Sequence, residues 1–283
     1  MPAHLDKKHV DKPCLASSNF AGNLNLIFAT QETWMSMFLP MTVHNAAGKA
    51  PLLLICEHAS NFIPSEYAQL GLAGADLSRH IAYDPGALEV AKGISRILDA
   101  PLIYANISRL VIDLNRNPGD FDSLPETAEL TVVPGNQNLD QTQRDARAHA
   151  YYHPFHAALS DLIAARRDLK ALISVHSFTR VFKSVQRPWH IGIIHDEDEA
   201  LAREMLRETL SEAGIIGELN VPYAPSDRVF HTLARHKRDK RHGMSLQTAM
   251  IEIRNDLINE PIGQELWSGR LAQAISKALH SVS

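Results

Sequence analysis

Several short, almost wholly apolar runs alternate with helical patterns, and this alternation most constrains the fold. Three runs, at residues 52–55, 172–175 and 249–251, are apolar nearly throughout. A strand with one solvent-exposed face would instead show alternating apolar and polar residues. Amphipathic helical patterns lie between the runs, as at 84–98 and 197–213. We therefore predict the α/β class: a single three-layer domain with a mostly parallel mixed sheet and helices on both faces.

The length and apolar content suit one core, because 283 residues with 45% hydrophobic side chains can bury a full interior. No stretch rich in Gly, Ser or Pro divides the chain after residue 48, whereas residues 1–48 show no clear period. We predict a poorly ordered N-terminal leader at 1–48 and one domain at 49–283. Translation that begins at Met41 would be an alternative explanation of the leader.

Charge and cysteine content exclude several classes of protein. A net charge of −4 does not favour binding to nucleic acid or to an anionic membrane, and the basic run at 235–242 has no interleaved aromatic residues. No apolar run approaches the roughly 20 residues that a membrane span needs. The two cysteines, Cys14 and Cys56, are not expected to pair, which favours a reducing compartment and hence the cytoplasm.

Ionisable side chains follow each of the three apolar runs. Glu57 and His58 come directly after the first run, His176 after the second and Glu252 after the third. The carboxyl ends of parallel strands meet at one edge of an open α/β sheet, and ligands bind there. We therefore expect His58, His176 and Glu252 to lie close together.

Two imidazoles and a carboxylate are typical ligands of catalytic zinc, which lowers the pKa of a bound water to about 7. Asp84 and Glu57 compete for the place of the third ligand. We favour Asp84, because neighbouring side chains such as Glu57 and His58 diverge in extended backbone, although Asp84 also suits a helix N-cap. Glu252 would be costly to bury without partners, and we interpret it as the general base.

Polar residues around these runs supply further candidates. Arg109 and Arg116 lie at the two ends of an apolar run, and we predict that 109–114 is a strand or strand-like segment. Either arginine could bind a carboxylate through its guanidinium, and the alternative is a buried structural network with Asp113. We assign Arg109 to oxyanion stabilisation, and the loop at 120–138 is a candidate lid. Substrate-binding candidates are Arg116, Arg254, Asn115, Asn61, His153 and His156. For Arg254 the alternative is pairing with Glu252, and for the two histidines it is packing.

Six stretches in order resemble the N-formylglutamate amidohydrolase family. They are CEHASN at 56–61, HIAYDPGA at 80–87, SRLVIDLNR at 108–116, YHPFH at 152–156, HSFT at 176–179 and IEIRNDLI at 251–258. The resemblance implies a phosphorylase/hydrolase-like fold related to that of zinc exopeptidases. It also implies hydrolysis of a small N-acyl amino acid, with N-formyl-L-glutamate giving L-glutamate and formate. His58, Asp84 and His176 would hold Zn²⁺, and Glu252 would be the base.

Two other functions stay open from the sequence. One is a zinc amidase that acts on a peptide or cell-wall amide, and an open groove would favour it. The other is a metal-free binding protein on the same fold. The expected partner is otherwise a small-molecule N-acyl amino acid, and the sequence leaves open whether two copies form a homodimer.

Overall fold

A seven-stranded mixed sheet runs through the centre of the computed structural model, which describes residues 39–239 and 244–282. The strand order across the sheet is β1-β3-β2-β4-β7-β5-β6. The strands are β1 (Met41–His44), β2 (Leu52–Cys56), β3 (Leu102–Ala105), β4 (Ala171–Phe178), β5 (Ile191–Ile194), β6 (Gly217–Leu219) and β7 (Gln247–Arg254).

Strands β3, β2, β4 and β7 are mutually parallel and form the middle of the sheet. Strand β1 pairs antiparallel with β3 at one edge, and β5 pairs antiparallel with β7. The prediction of a mostly parallel mixed sheet is thus confirmed. All residues of β2 and β4 are buried, as their continuous apolar runs require of strands that are covered on both faces.

Helices cover both faces of this sheet and make a three-layer α/β domain. They are α1 (Ala87–Leu98), α2 (Gln141–Arg147), α3 (His153–Ala164), α4 (Ala200–Thr209), α5 (His231–His236) and α6 (Pro261–Ser281), with a single turn at Gly74–Leu77. Helices α1, α4 and α6 pack against Leu54 and Ile173 on one face. On the other face, α3 packs against Leu53 and Leu172. Among the described residues, no helix is both long and apolar enough to cross a membrane.

The helical stretch from Gln141 to Ala164 is divided near Pro154. Helix α2 continues into a π-helical turn, Ala148–Tyr152, before α3 begins at His153. The backbone N–H of His153 donates to the carbonyl of Ala148, which is five residues earlier. The wider turn accommodates Pro154, which has no N–H for the ladder.

The strand predicted at 109–114 is wrong, because this segment forms buried turns. The N–H of Leu110 donates to Ser108 Oγ at 3.1 Å, and that of Val111 donates to the Ser108 carbonyl at 3.0 Å. The N–H of Asn115 donates to Asp113 Oδ1 at 2.9 Å. These local bonds replace a strand ladder, although Leu110 and Val111 are buried as a strand would require.

The terminal regions and loops contain details that the sequence pattern did not show. Strand β1 lies within the range 1–48 that we assigned to a leader, whereas residues 1–38, with Cys14, lie outside the described residues. The candidate lid contains a small hairpin, Thr127–Ala128 with Thr131–Val132, and a turn at Pro134–Asn136. Two further hairpins pair Val181–Phe182 with Val185–Gln186, and Arg238–Asp239 with Met244–Ser245. Part of the basic run, 240–243, lies outside the described residues.

Candidate active site

The ends of three neighbouring parallel strands bring the predicted residues together. His58 follows β2, His176 lies in β4, and Glu252 is the direct register partner of His176 in β7. Asp84 lies before α1, whose N-cap is Gly86, so its side chain does not cap the helix. Instead Asp84 Oδ2 accepts the backbone N–H of Ser177 at 3.2 Å, and its own N–H donates to the His58 carbonyl at 2.9 Å.

His58, Asp84 and His176 form one buried cluster whose ligand-type atoms all lie within 4.8 Å of one another. His176 Nδ1 is 3.1 Å from His58 Nδ1 and 2.9 Å from Asp84 Oδ2. His58 Nδ1 is 3.5 Å from the same carboxylate oxygen. Two nitrogens and one oxygen therefore converge on a single point.

The hydrogen bonds behind both imidazoles assign their tautomers. His58 Nε2 donates to Asp113 Oδ1 at 2.7 Å. His176 Nε2 faces Ser174 Oγ at 2.7 Å and Glu57 at 3.1 Å. Ser174 gives its own hydrogen to Glu57 at 2.6 Å, so it accepts the hydrogen of His176. Both Nδ1 atoms therefore carry lone pairs that face the cluster.

Three converging lone pairs repel one another unless a cation lies between them, so the cluster fits a metal ion. A carboxylate or hydroxyl behind each imidazole is the usual support for a metal-bound histidine. Asp84 Oδ1 is buried and accepts no hydrogen bond from the described residues. Burial alone would lower the pKa of His176, but Glu57 and Asp84 raise it well above its usual value, so the site attracts positive charge.

Glu57, the competing ligand, lies behind His176 rather than in the cluster. Its carboxylate contacts His176 and Ser174 and is almost fully buried. Burial opposes ionisation of Glu57, yet His176 and Ser174 lower its pKa to about 2. The ionised Glu57 thus orients His176, as Asp113 orients His58.

Glu252 is buried beside the cluster with one oxygen, Oε2, that has no hydrogen-bond partner among the described residues. Burial raises the pKa of Glu252 to about 8, because a desolvated carboxylate disfavours its charge. An unpartnered acid of this kind next to a metal-type cluster can exchange a proton with a bound water or substrate.

The cluster and Glu252 share a cavity of about 220 Å³. That size suits a small molecule better than a polymer. Polar lining residues are His58, His80, Asp84, Arg109, Asp113, Asn115, Arg116, Asp122, Glu129, His176, Ser177, Tyr223 and Glu252. The apolar part of the lining includes Phe182, Val229 and Met250.

Arg109 and Arg116 both line this cavity, but internal partners occupy much of each guanidinium. Arg109 donates to Asp113 at 2.8 Å and lies 3.5 Å from Asp84, so the Arg–Asp network that was the alternative is present. Arg116 donates to Asp122 at 3.1 Å and to two backbone carbonyls. Asn115 lines the cavity too, although its amide bonds the Val229 carbonyl and its oxygen accepts a backbone N–H.

The structure does not bring Arg254 or Asn61 to the cavity lining. Arg254 shares a strand face with Glu252, but its guanidinium donates to Asp256 at 2.7 Å and to the Trp189 carbonyl, so it pairs with neither Glu252 nor a ligand there. Asn61 is exposed, and its amide donates to the Leu77 carbonyl at 2.9 Å.

His153 and His156 also lie away from the lining, where packing and hydrogen bonds explain them. His153 is exposed, and its ring contacts that of Tyr152. His156 is buried: its Nε2 donates to the Leu114 carbonyl at 2.9 Å, and its Nδ1 accepts a hydrogen from His236 Nε2 at 2.9 Å. Both histidines thus make the packing contacts that were the alternative to substrate binding.

Several residues of the site had no functional assignment from the sequence. Ser174 is a polar residue inside a buried apolar run, which was a usable signal of its role behind His176. His80 donates to the Ser177 carbonyl at 2.6 Å and lies 3.3 Å from Asp84. Tyr223 comes from an irregular segment, and no periodic pattern marks it as part of the cavity.

Comparisons with known proteins match this chain to one family and to several solved structures. The family model for N-formylglutamate amidohydrolase matches residues 50–259. The crystal structure of gene product Atu2144 from Agrobacterium tumefaciens is 42% identical, covers 87% of this chain and 97% of its own, and superposes with a TM-score of 0.82. No curated protein matches the sequence.

Two more distant structures resemble only the general fold. Csd4, a cell shape determinant from Helicobacter pylori solved with a bound tripeptide, is 12% identical, with coverage of 85% and 55% and a TM-score of 0.43. A bacteriophage poly-gamma-glutamate hydrolase is 10% identical, with coverage of 86% and 90% and a TM-score of 0.41.

The family match spans every element that supplies the site, from β2 with His58 to the end of β7 with Glu252. The Agrobacterium structure extends the likeness over most of both chains. Together with a metal-type cluster at the carboxyl edge of the sheet, these matches identify an amidohydrolase. The chain belongs to the N-formylglutamate amidohydrolase family.

Proposed function

We propose that this protein is a zinc-dependent amidohydrolase that converts N-formyl-L-glutamate, or a closely related N-acyl amino acid, into the free amino acid and the acid. The observation that carries the proposal is the convergence of His58, Asp84 and His176 beside the unpartnered acid Glu252. Two imidazoles and one carboxylate match the ligand set of catalytic zinc and leave a position for water.

A bound Zn²⁺ would supply a water of lowered pKa and would polarise the amide carbonyl. The side chains behind the ligands fix the orientation of both imidazoles: Asp113 orients His58, and Glu57 together with Ser174 orients His176. Each fixed tautomer presents Nδ1 to the cluster. No rearrangement of the imidazoles is then needed before the reaction.

Glu252 is proposed to move the proton. Its carboxylate takes a proton from the attacking water and delivers it to the nitrogen of the leaving amine, so that the C–N bond breaks without expelling an unstable anion. Without a cation, burial raises the pKa of Glu252 to about 8, so that its carboxyl is mostly protonated at neutral pH. A divalent cation nearby would act in the opposite direction and favour the ionised form.

Binding of the substrate's carboxylates is assigned to the arginines of the cavity. Arg116 is the stronger candidate, because its Nε and Nη1 are held by protein oxygens and the residue lines the cavity in a fixed position. For Arg109 we retain the prediction that it stabilises the oxyanion. Its contacts with Asp84 and Asp113 also stabilise these carboxylates in their ionised forms.

The proposed setting is the cytoplasm, and the proposed partner is a small molecule rather than nucleic acid or a membrane. Cys56 is a free, buried thiol, in keeping with a reducing compartment. The small cavity favours an amino acid derivative over a peptide or cell-wall strand. Whether two copies associate as a homodimer stays a prediction to be tested by light scattering.

The deciding experiment is a screen of N-acyl amino acids with purified protein, scored by released amine, with zinc added or removed by a chelator. We expect N-formyl-L-glutamate to be hydrolysed, activity to disappear with chelation, and zinc to restore it. Peptide or cell-wall amides tested in parallel should react poorly. Protein that retains no metal and hydrolyses none of these compounds would contradict the proposal and favour a binding protein.

A further inference from the structure

Arg187 and Tyr223 form a pair at the wall of the cavity for which the proposed mechanism has no role. Arg187 is only 8% exposed, and its Nη1 donates to the hydroxyl of Tyr223 at 3.1 Å. Tyr223 lines the cavity together with Glu252 and the metal-type cluster. The pair therefore joins a buried cation to a phenol that lines the same cavity as the metal-type cluster.

Within residues 39–239 and 244–282, no carboxylate lies at ion-pair distance from Arg187. The other arginines of this region are paired, Arg109 with Asp113 and Arg116 with Asp122. The Arg187 guanidinium instead packs over aromatic rings, 4.5 Å from that of Phe182 and 4.8 Å from that of Tyr223. Such contacts offset part of the cost of burying the charge, but they do not neutralise it.

The direction of the Arg187–Tyr223 bond leaves the phenol with a free hydrogen. A guanidinium can only donate, so Tyr223 Oη is the acceptor. No other hydrogen bond of this hydroxyl is made within the described part of the chain. Burial raises the pKa of Tyr223, so its hydroxyl stays protonated at neutral pH. The result is a neutral donor that is polarised by a positive charge behind it.

The position of this donor is close to the proposed reacting groups. Tyr223 interacts electrostatically with both Glu252 and Arg109. Arg109 is tied to Asp113 and Asp84, so its charge is largely balanced. The hydroxyl of Tyr223 has no such competing partner, and it can turn toward an oxygen of a bound substrate.

We propose that Tyr223 is a catalytic residue that donates a hydrogen bond to the carbonyl oxygen of the scissile amide, and that Arg187 is the positioning residue that holds and polarises it. This inference rests on the amidohydrolase function proposed above. As water adds to the carbonyl carbon, the C–O π electrons move to the oxygen, which then accepts a stronger bond from Tyr223. Tyr223 keeps its proton throughout, and the proton carried by Glu252 goes to the leaving amine when the C–N bond breaks.

The first test is Tyr223→Phe, which removes the hydroxyl and little else. We expect kcat for N-formyl-L-glutamate to fall about 10²-fold, as for loss of one oxyanion donor, with KM changed less than about threefold. Tyr151→Phe removes a hydroxyl outside the cavity lining and should leave both constants unchanged. An unchanged kcat for Tyr223→Phe, or a change in KM alone, would overturn the catalytic role.

The second test separates positioning from general packing. Arg187→Met keeps an apolar stem between the rings, and it should lower kcat as Tyr223→Phe does. The double variant Arg187→Met with Tyr223→Phe should be no slower than Tyr223→Phe alone. Additive losses in the double variant would overturn the role of Arg187. If thermal unfolding shows that Arg187→Met does not fold, Arg187→Gln, which can keep a polar contact but removes the charge, serves the same cycle.

A binding measurement gives a readout that does not depend on turnover. A phosphonate analogue of the tetrahedral intermediate should bind Tyr223→Phe about 10²-fold more weakly than wild type, while the product amino acid binds both equally. Equal weakening for both ligands would overturn the oxyanion assignment. Wild-type protein that hydrolyses no N-acyl amino acid would overturn the proposed function as well, whereas normal turnover by Tyr223→Phe would overturn this inference alone.

Discussion

At the scale of single residues, the site depends on partners that fix where protons sit. Asp113 and Glu57 are ionised and buried: Asp113 accepts the hydrogen of His58 Nε2, and Glu57 accepts that of the Ser174 hydroxyl, which in turn accepts the hydrogen of His176 Nε2. Glu252 differs, because burial raises its pKa to about 8, whereas neighbouring groups lower the pKa of Glu57 to about 2 and that of Asp113 well below its usual value. The contrast between two carboxylates that their neighbours hold ionised and one whose charge burial disfavours separates the structural acids from the candidate base.

Glu252→Gln keeps the shape of the side chain but removes the group that accepts a proton. We expect kcat to fall about 10²- to 10⁴-fold while zinc content, measured by elemental analysis, stays at the wild-type level. Glu197→Gln, in a side chain that is 85% exposed, serves as the matched control and should leave both quantities unchanged. Wild-type turnover in Glu252→Gln would remove Glu252 from the mechanism.

Asp113→Asn weakens the support of His58 without touching the cluster itself. An amide can present its N–H to His58 Nε2 and favour the wrong tautomer, so zinc affinity should fall about 10- to 100-fold. Competition with a chromophoric chelator measures this affinity without any assay of activity. Asp120→Asn, which lies outside the cavity lining, is the control. Equal zinc affinity in Asp113→Asn and wild type would refute the supporting role.

At the scale of elements, apolar runs predicted the central strands because burial on both faces leaves a continuous signal in the sequence. The same signal misled at 109–114, since Leu110 and Val111 are buried in turns rather than in a strand. Strand alternation also suggested that Arg254 would bind substrate, because it lies on the same strand face as Glu252. Its side chain donates to Asp256 instead, and alternation alone does not predict that contact. Tyr223 and Arg187 reach the site from irregular segments, where position depends on the whole fold and leaves no local pattern.

The turn at Ser108 is held by a hydroxyl that is fully buried. It donates to the Ala82 carbonyl at 2.7 Å and accepts the N–H of Leu110 at 3.1 Å. Ser108→Ala leaves these groups with lost bonds in a dry environment, so the free energy of unfolding should fall by about 1–3 kcal/mol. Urea unfolding measures it, and Ser211→Ala on the surface should change it by less than about 0.5 kcal/mol. A loss for Ser108→Ala no larger than that control would show that the turn does not need the hydroxyl.

At the scale of the whole molecule, a second group of histidines stabilises the fold away from the cavity. His156 and His236 stack with parallel rings and share a hydrogen bond. Burial lowers the pKa of His156 to about 3 and that of His236 to about 4. Both therefore stay neutral in the native state at pH values where an unfolded histidine, with a pKa near 6.5, takes up a proton.

Acid should therefore destabilise the protein well above the pH at which its carboxylates titrate. The contribution of the pair is fully present above about pH 6.5 and is lost progressively as the pH falls, because the unfolded chain then binds more protons. Between pH 7 and pH 5, the free energy of unfolding should fall by about 1–2 kcal/mol less in His236→Gln than in the wild-type protein. Urea titrations at each pH measure this difference, with His280→Gln as the exposed control. Identical slopes for His236→Gln and wild type would contradict the assignment.

The direct pairing of Glu252 with His176 across β7 and β4 has a consequence for how such chains can vary. Adding or deleting a single residue in either strand would turn one of these side chains to the opposite face and separate the base from the metal ligand. We therefore expect changes in length to be better tolerated in the connections, such as the hairpin at 181–186, than in these two strands. Because Phe182 of this hairpin lines the cavity, a change of length there would reshape the cavity wall and leave the pairing of Glu252 with His176 intact.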